Sequence, residues 1–99
     1  MKVYFEKGKD IDIDNAVGKV VYLEVRSWLH YGCYSFRYYA KIIKTTPKFF
    51  NYRIFNTAEV NWCKEETFNK VQNYPDWVSS RLSKDKIIEL KEINIRKGE

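Results

Sequence analysis

Lys19-Val-Val-Tyr-Leu-Glu-Val-Arg-Ser-Trp-Leu-His-Tyr31, Cys33-Tyr-Ser-Phe-Arg-Tyr-Tyr-Ala-Lys-Ile-Ile-Lys44 and Lys48-Phe-Phe-Asn-Tyr-Arg-Ile-Phe-Asn-Thr-Ala-Glu-Val60 alternate apolar and polar residues at a period of two. Successive side chains on a strand point to opposite faces, so each segment divides into two rows. Val21, Leu23, Val25 and Leu29, then Tyr34, Phe36, Tyr38 and Ile42, then Phe50, Tyr52, Ile54 and Ala58 make a row apolar enough to be a core. The other row carries Tyr22, Glu24, Arg26, Trp28 and His30, then Arg37, Tyr39 and Lys41, then Asn51, Arg53, Phe55 and Thr57. It is cationic and aromatic, which is unusual for a face that meets only water.

The connections predict a register. Tyr31-Gly32 suits a two-residue hairpin turn, with Gly supplying a positive φ. Pairing across it sets Leu29 against Tyr34, Ser27 against Phe36 and Val25 against Tyr38, so every core-row residue meets a position of the same row. It also sets Arg26 directly opposite Arg37. Thr45-Thr-Pro47 is the next connection, because Pro cannot continue a ladder. Matching rows across it pairs Ile42 with Phe50, Arg37 with Phe55 and Tyr39 with Arg53. A lateral row Arg26–Arg37–Phe55 is then expected, with Tyr39–Arg53 beside it.

Outward from this sheet, Val3–Glu6 reads as a short first strand ended by Lys7-Gly-Lys9. Asp10-Ile-Asp-Ile-Asp14 reads as a strand with both isoleucines inward. A calcium loop beginning at Asp10 would need Gly at its sixth position and Glu at its twelfth, where Asn15 and Val21 stand. After Val60 the period changes. Asn61 as N-cap, Glu65 and Glu66 in the first turn, and Phe68, Val71, Pro75, Val78 and Leu82 at spacings of three and four predict helix. Pro75 breaks the series, giving one helix over about 63–73 and a second from Pro75 to about Ser83. Trp62 and Trp77 are expected to seat these helices on the sheet's apolar row. Lys86–Arg96 is the last strand, and its apolar phase shifts between Leu90 and Ile93 as a bulge would require. The fold class expected is α+β: one domain over residues 1–99, a mainly antiparallel sheet of five or six strands, and one broken helical segment (about 63–83) before the last strand.

The chain has 99 residues, a net charge of +5 and an aromatic content of 17%. The charge favours anionic partners without fixing the fold. Lys makes up thirteen of the eighteen cations beside seven Asn, a bias that fits an AT-rich bacterial or phage genome. No apolar run suits a signal peptide or a membrane span, so a cytoplasmic protein with Cys33 and Cys63 both reduced is expected.

Chemistry-bearing motifs are sparse. His30 and Cys33 could face each other across the hairpin, but a dyad also needs an oxyanion hole and an orienting group that the sequence does not supply. A zinc site needs about four ligands, and His30, Cys33 and Cys63 fall short; Cys63 reads as a small buried hydrophobe. There is no phosphate loop and no nucleophile elbow. No cofactor, metal or catalysis is expected. Tyr31–Tyr38 lacks the basic and small residues of the RNP1 pattern, and the element order is not that of an RRM.

What remains is binding. Like charges opposed on a sheet cost a few tenths of a kcal/mol, so Arg26 facing Arg37 implies use. Arg26, Trp28, Arg37, Tyr39, Lys41, Arg53 and Phe55 are the expected contact surface, with arginines on phosphates and rings stacking on bases. The expected partner is nucleic acid or a nucleic-acid-processing protein, with no membrane. The alternative is a protein-targeting inhibitor or adaptor, such as a phage-type inhibitor of a host nuclease or defence enzyme, or a homodimer through the same face.

Overall fold

A computed structural model shows the alternating segments as strands of one sheet. They are β1 (Lys2–Asp10), β2 (Val20–Leu29), β3 (Gly32–Thr45), β4 (Phe49–Thr57), β5 (Trp62–Lys64), β6 (Ser80–Ser83) and β7 (Ile87–Gly98). The spatial order is β5-β1-β7-β2-β3-β4-β6, and every pairing between them is antiparallel. One helix, α1 (Glu65–Gln72), lies between β5 and β6, so the fold is α+β with seven strands rather than five or six. The structure describes residues 1–29 and 32–98, and of Trp28 and Leu29 only the backbone. Among these residues no helix is long and apolar enough to cross a membrane.

The sheet cannot be flat. Ser83 ends β6 and Ile87 begins β7, a reach of roughly 14 Å at full extension, whereas four strand spacings in a flat sheet span about 19 Å. Thr57 and Trp62 bound the β4–β5 connection, which must likewise cover five spacings, ~24 Å, with about 17 Å of chain. The sheet therefore curls without closing. Bulges supply the local bends: Phe55 is skipped in the β3–β4 ladder, Ile43 is skipped on the opposite strand, and Ile88 is skipped between β7 and β2.

Curling gives the sheet a core on each face. On one side Val21, Leu23, Val25, Ala40, Ile42, Phe50, Tyr52 and Leu90 bury against Ile13 and Ala16. Apart from Ala40 and Leu90 these belong to the expected apolar row, closed by the segment between β1 and β2; of the rest of that row Tyr34, Phe36 and Ile54 are exposed, and Ala58 packs against the opposite core. Ile13–Asn15 is a single 3-10 turn there, not the end of a strand. Gly18, at φ 82°, then turns the chain into β2 in a conformation that suits glycine. Asp10 and Asp14 stay outside and pair with Lys91 at 3.0 Å and Lys84 at 2.8 Å.

On the other side Val3, Phe5, Val20, Tyr22, Tyr39, Phe55, Cys63 and Phe68 form a second core, capped by α1. Phe5 of β1 stacks on Tyr39 of β3 with ring centroids 4.7 Å apart, although β7 and β2 lie between those strands. Phe55 stacks on Phe68 of α1 at 4.9 Å. The helix thus covers the cationic-aromatic row and not the apolar one, the reverse of the expectation. Leu90 and Ile93 serve opposite cores, which is why the apolar phase of β7 shifts between them.

The second expected helix is absent. Pro75-Asp-Trp-Val78 makes one turn, with the Val78 amide donating to the Pro75 carbonyl at 2.9 Å, and Ser80–Ser83 then pairs with β4. Val78 and Leu82 are four apart, a spacing that fits a helix face and equally two repeats of a strand; Leu82 across from Phe50 decides it. Asn61 does not cap α1, since β5 intervenes and its carbonyl accepts the Phe5 amide. Trp77 seats nothing: it is 83% exposed. Trp62 is half-buried in β5, with the Lys2 ammonium 4.1 Å above its ring.

Burial raises the hydroxyl pKa of Tyr22, Tyr39 and Tyr52, with Glu24 adding to the effect at Tyr22. A folded pKa above the unfolded one gives stability that is whole below about pH 10 and is lost as pH rises through the folded value. Unfolding above that pH should coincide with tyrosinate absorbance. Tyr39→Phe should unfold at higher pH than the native protein, and an unchanged alkaline midpoint would remove Tyr39 from this account.

Candidate nucleic-acid interface

β2 and β3 outrun their neighbours. β7 pairs with β2 only from Val21 to Val25, and β4 pairs with β3 only as far as Tyr38. Beyond those points Arg26–Leu29 and Gly32–Arg37 continue as a two-stranded ribbon. An isolated ribbon in water is marginal by itself, so this one leans on the strands it grows from.

Register decides which side chains share a ribbon face. Leu29 lies across from Gly32, Trp28 from Cys33, Ser27 from Tyr34, Arg26 from Ser35, Val25 from Phe36 and Glu24 from Arg37. This is two residues away from the predicted pairing. Gly32 pairs with Leu29 instead of turning; Tyr31, the other residue of the expected turn, lies outside the described residues, as does the expected partnership of His30 with Cys33. A slip of two keeps every residue on its face but changes who stands opposite whom. Arg26 does not face Arg37. Arg37 faces a carboxylate instead, and the like-charge argument falls.

One face of the ribbon presents exposed Arg26, Ser35 and Arg37, with half-buried Glu24 at its base. The other presents Tyr34 and Phe36, 44% and 38% exposed, with Phe36 stacked on Tyr38 at 6.4 Å. A notch of about 130 Å³ bounded by Ser35–Tyr38, Thr57 and Glu59 marks where β4 leaves β3.

Of the seven residues expected to form the contact surface, Arg26 and Arg37 stand exposed on the ribbon. Trp28 belongs to the same row, and its side chain lies outside the description. Lys41 is half-buried and sits across from Val20 on one side and Arg53 on the other. Tyr39, Arg53 and Phe55 are 3%, 5% and 6% exposed, and are not available to a partner. Tyr39 and Phe55 belong to the ring core. Arg53 closes α1: its Nη1 donates to the carbonyls of Val71, at 3.0 Å, and Tyr74. The Val71 carbonyl, in the last turn of α1, also accepts the Tyr74 amide at 3.3 Å, and Tyr74 lies just past the helix, so Arg53 ties the end of the helix to the sheet. In the β3–β4 ladder Arg53 stands across from Lys41 rather than from Tyr39, and with Phe55 skipped the lateral row Arg26–Arg37–Phe55 does not form.

Cys63 is buried and its thiol pKa is raised by that burial, which disfavours the thiolate. Cys33 is exposed on the ribbon. Among the described residues no group of three or more His, Cys, Asp or Glu is placed to hold a metal ion. A surface cavity of about 530 Å³ between Met1, Lys2, Trp62, Lys64, Glu65 and Glu66 mixes two lysines with two glutamates. Tyr34, Phe36 and Trp77 are the exposed rings that sequence reasoning missed. The first two were assigned to a core that ends at Val25, and Trp77 to a helix that does not form. No family model matches the chain, and no curated protein or solved structure does either.

Proposed function

We propose that this is a non-catalytic, cytoplasmic nucleic-acid-binding protein that makes contact through the polar face of the β2–β3 ribbon. The observation that carries the reading is the projection of exposed Arg26 and Arg37 on one face of a two-stranded ribbon beyond the described pairing of β7 and β4. A ribbon of this width is one of the shapes that fit the major groove of a duplex, and its arginines suit phosphate oxygens. The net charge of +5 would draw the molecule toward any polyanion.

The test is a titration of the protein against labelled single- and double-stranded DNA and RNA at two salt concentrations, beside the Arg26→Ala/Arg37→Ala double variant. Binding should weaken steeply with salt. The double variant should lose on the order of tenfold or more in affinity, and its log K against log salt slope should fall by about two. Absence of binding at low salt would overturn the reading.

A second reading has its own observation. Tyr34 and Phe36 on the opposite ribbon face, and Trp77 far along the sheet, are exposed rings of the kind that anchor protein interfaces. A protein-targeting inhibitor, such as one directed at a host nuclease, would bind no free oligonucleotide and would depend on these rings rather than on the arginines.

A further inference from the structure

We propose that two copies of this chain join through the free edge of β3, residues Gly32 to Phe36, to make a continuous four-stranded ribbon. The Arg37 carbonyl accepts the Ala58 amide at 2.9 Å, so the outward side of β3 is known at that residue. Backbone groups alternate along a strand, and Ser35 and Cys33 therefore turn their N–H and C=O groups to the same outward side. Beyond Tyr38 no described strand pairs there.

The sheet guards its two formal edges and not this one. β5 is three residues long and ends in Lys64; β6 is four residues long and carries Arg81. Short strands and charges are the usual protection against edge-to-edge pairing. Gly32-Cys-Tyr-Ser-Phe36 is five residues with no charge, no proline and no bulge.

The occupant is set by the edge's own pattern. Ala58 blocks Arg37, which leaves Gly32–Phe36 free, and the midpoint of that stretch is Tyr34. Two antiparallel copies centred there set Tyr34 against Tyr34, Cys33 against Ser35 and Phe36 against Gly32, and no two charges oppose. The outward groups of Cys33 and Ser35 then exchange four hydrogen bonds across the seam. Each Phe36 ring lies over a Gly32 that has open space where a Cβ would stand, an arrangement known to offset glycine's weakness in a strand. An edge this short buries less than the area typical of permanent dimers, so a reversible dimer populated at roughly tens to hundreds of micromolar is expected.

The pairing stands on the edge alone. Its use rests on the nucleic-acid reading, since the joined ribbon presents Arg26 and Arg37 of both copies on one face. Sedimentation velocity of the full chain without nucleic acid, over a hundredfold range of concentration, tests the dimer apart from that reading. The native protein should shift reversibly from monomer toward dimer. Ser35→Pro removes an outward N–H that β2 does not use and should remain monomeric with an unchanged far-ultraviolet spectrum, whereas Arg26→Ala/Arg37→Ala should still dimerise. Under mild oxidation Ser35→Cys should form a disulfide dimer through Cys33, because directly paired residues lie about 5.5 Å apart. The native protein should not, because its two Cys33 residues would be offset by about two positions, ~8 Å or more. A monomer at every concentration, or a dimer that survives Ser35→Pro, would overturn the proposal.

Discussion

Phe5→Ala is expected to lower the free energy of unfolding by about 3–5 kcal/mol, as truncation of a buried Phe ring generally does. Phe5 is almost fully buried and touches three other rings: Tyr39 at 4.7 Å, and Phe55 and Phe68 each at 6.2 Å. Those partners come from β3, β4 and α1, so the cavity would open where the curled sheet meets α1, and none of the neighbours can fill it without leaving another. Domains of this size are stable by about 5–15 kcal/mol, so the change would consume a large part of the total. Chemical denaturation reads it directly. Phe36→Ala is the control, since the same deletion on the exposed ribbon should cost about 1 kcal/mol or less. Equal losses at the two positions would mean that the ring cluster is not the second core.

That second core explains both what the sequence disclosed and what it concealed. Alternation alone placed β2, β3 and β4 and sorted their side chains onto two faces, because a period of two survives any even slip in register. The slip still mattered. With Glu24 across from Arg37 and Ser35 across from Arg26, the two arginines share a face but do not oppose each other, and the repulsion that implied an anion site is not there. The outer row was taken for a binding surface because it mixed cations with rings. Yet Tyr22, Tyr39 and Phe55 recur on three consecutive strands, and Val3 and Phe5 supply matching apolar positions on a fourth. That recurrence was the available sign of a second core. The single buried cation in it could not be read the same way, since nothing local to Arg53 reveals that the end of a helix eighteen residues on will lie above it. The β4–β6 pairing was hidden for a related reason: Val78 and Leu82 satisfy both periods, and only the tertiary contact with Phe50 chooses between them.

Arg53→Met is accordingly expected to destabilise the protein by about 2–4 kcal/mol and to leave nucleic-acid binding at the ribbon unchanged. Hydrogen bonds from a charged donor contribute roughly 1.5–3 kcal/mol each, and Nη1 supplies two of them, to Val71 and Tyr74. Removing the buried charge returns part of its desolvation cost, which holds the net loss below the sum. The nearest carboxylate, Asp76, offers little, being 3.9 Å away and largely exposed. What the substitution leaves behind is a Tyr74 carbonyl that has lost its Arg53 donor and a Val71 carbonyl held only by the Tyr74 amide at 3.3 Å, and α1 is only eight residues long. Helices that short hold through tertiary contacts rather than through propensity. Loss should therefore appear first as faster amide exchange in Glu65–Gln72, ahead of the strands, and only then as a lower denaturation midpoint. Arg53→Lys, with one nitrogen in place of the fork, should fall between the two. If Arg53→Met instead abolished nucleic-acid binding with stability intact, Arg53 would belong to the contact surface after all, and α1 would have to lift from the sheet to expose it.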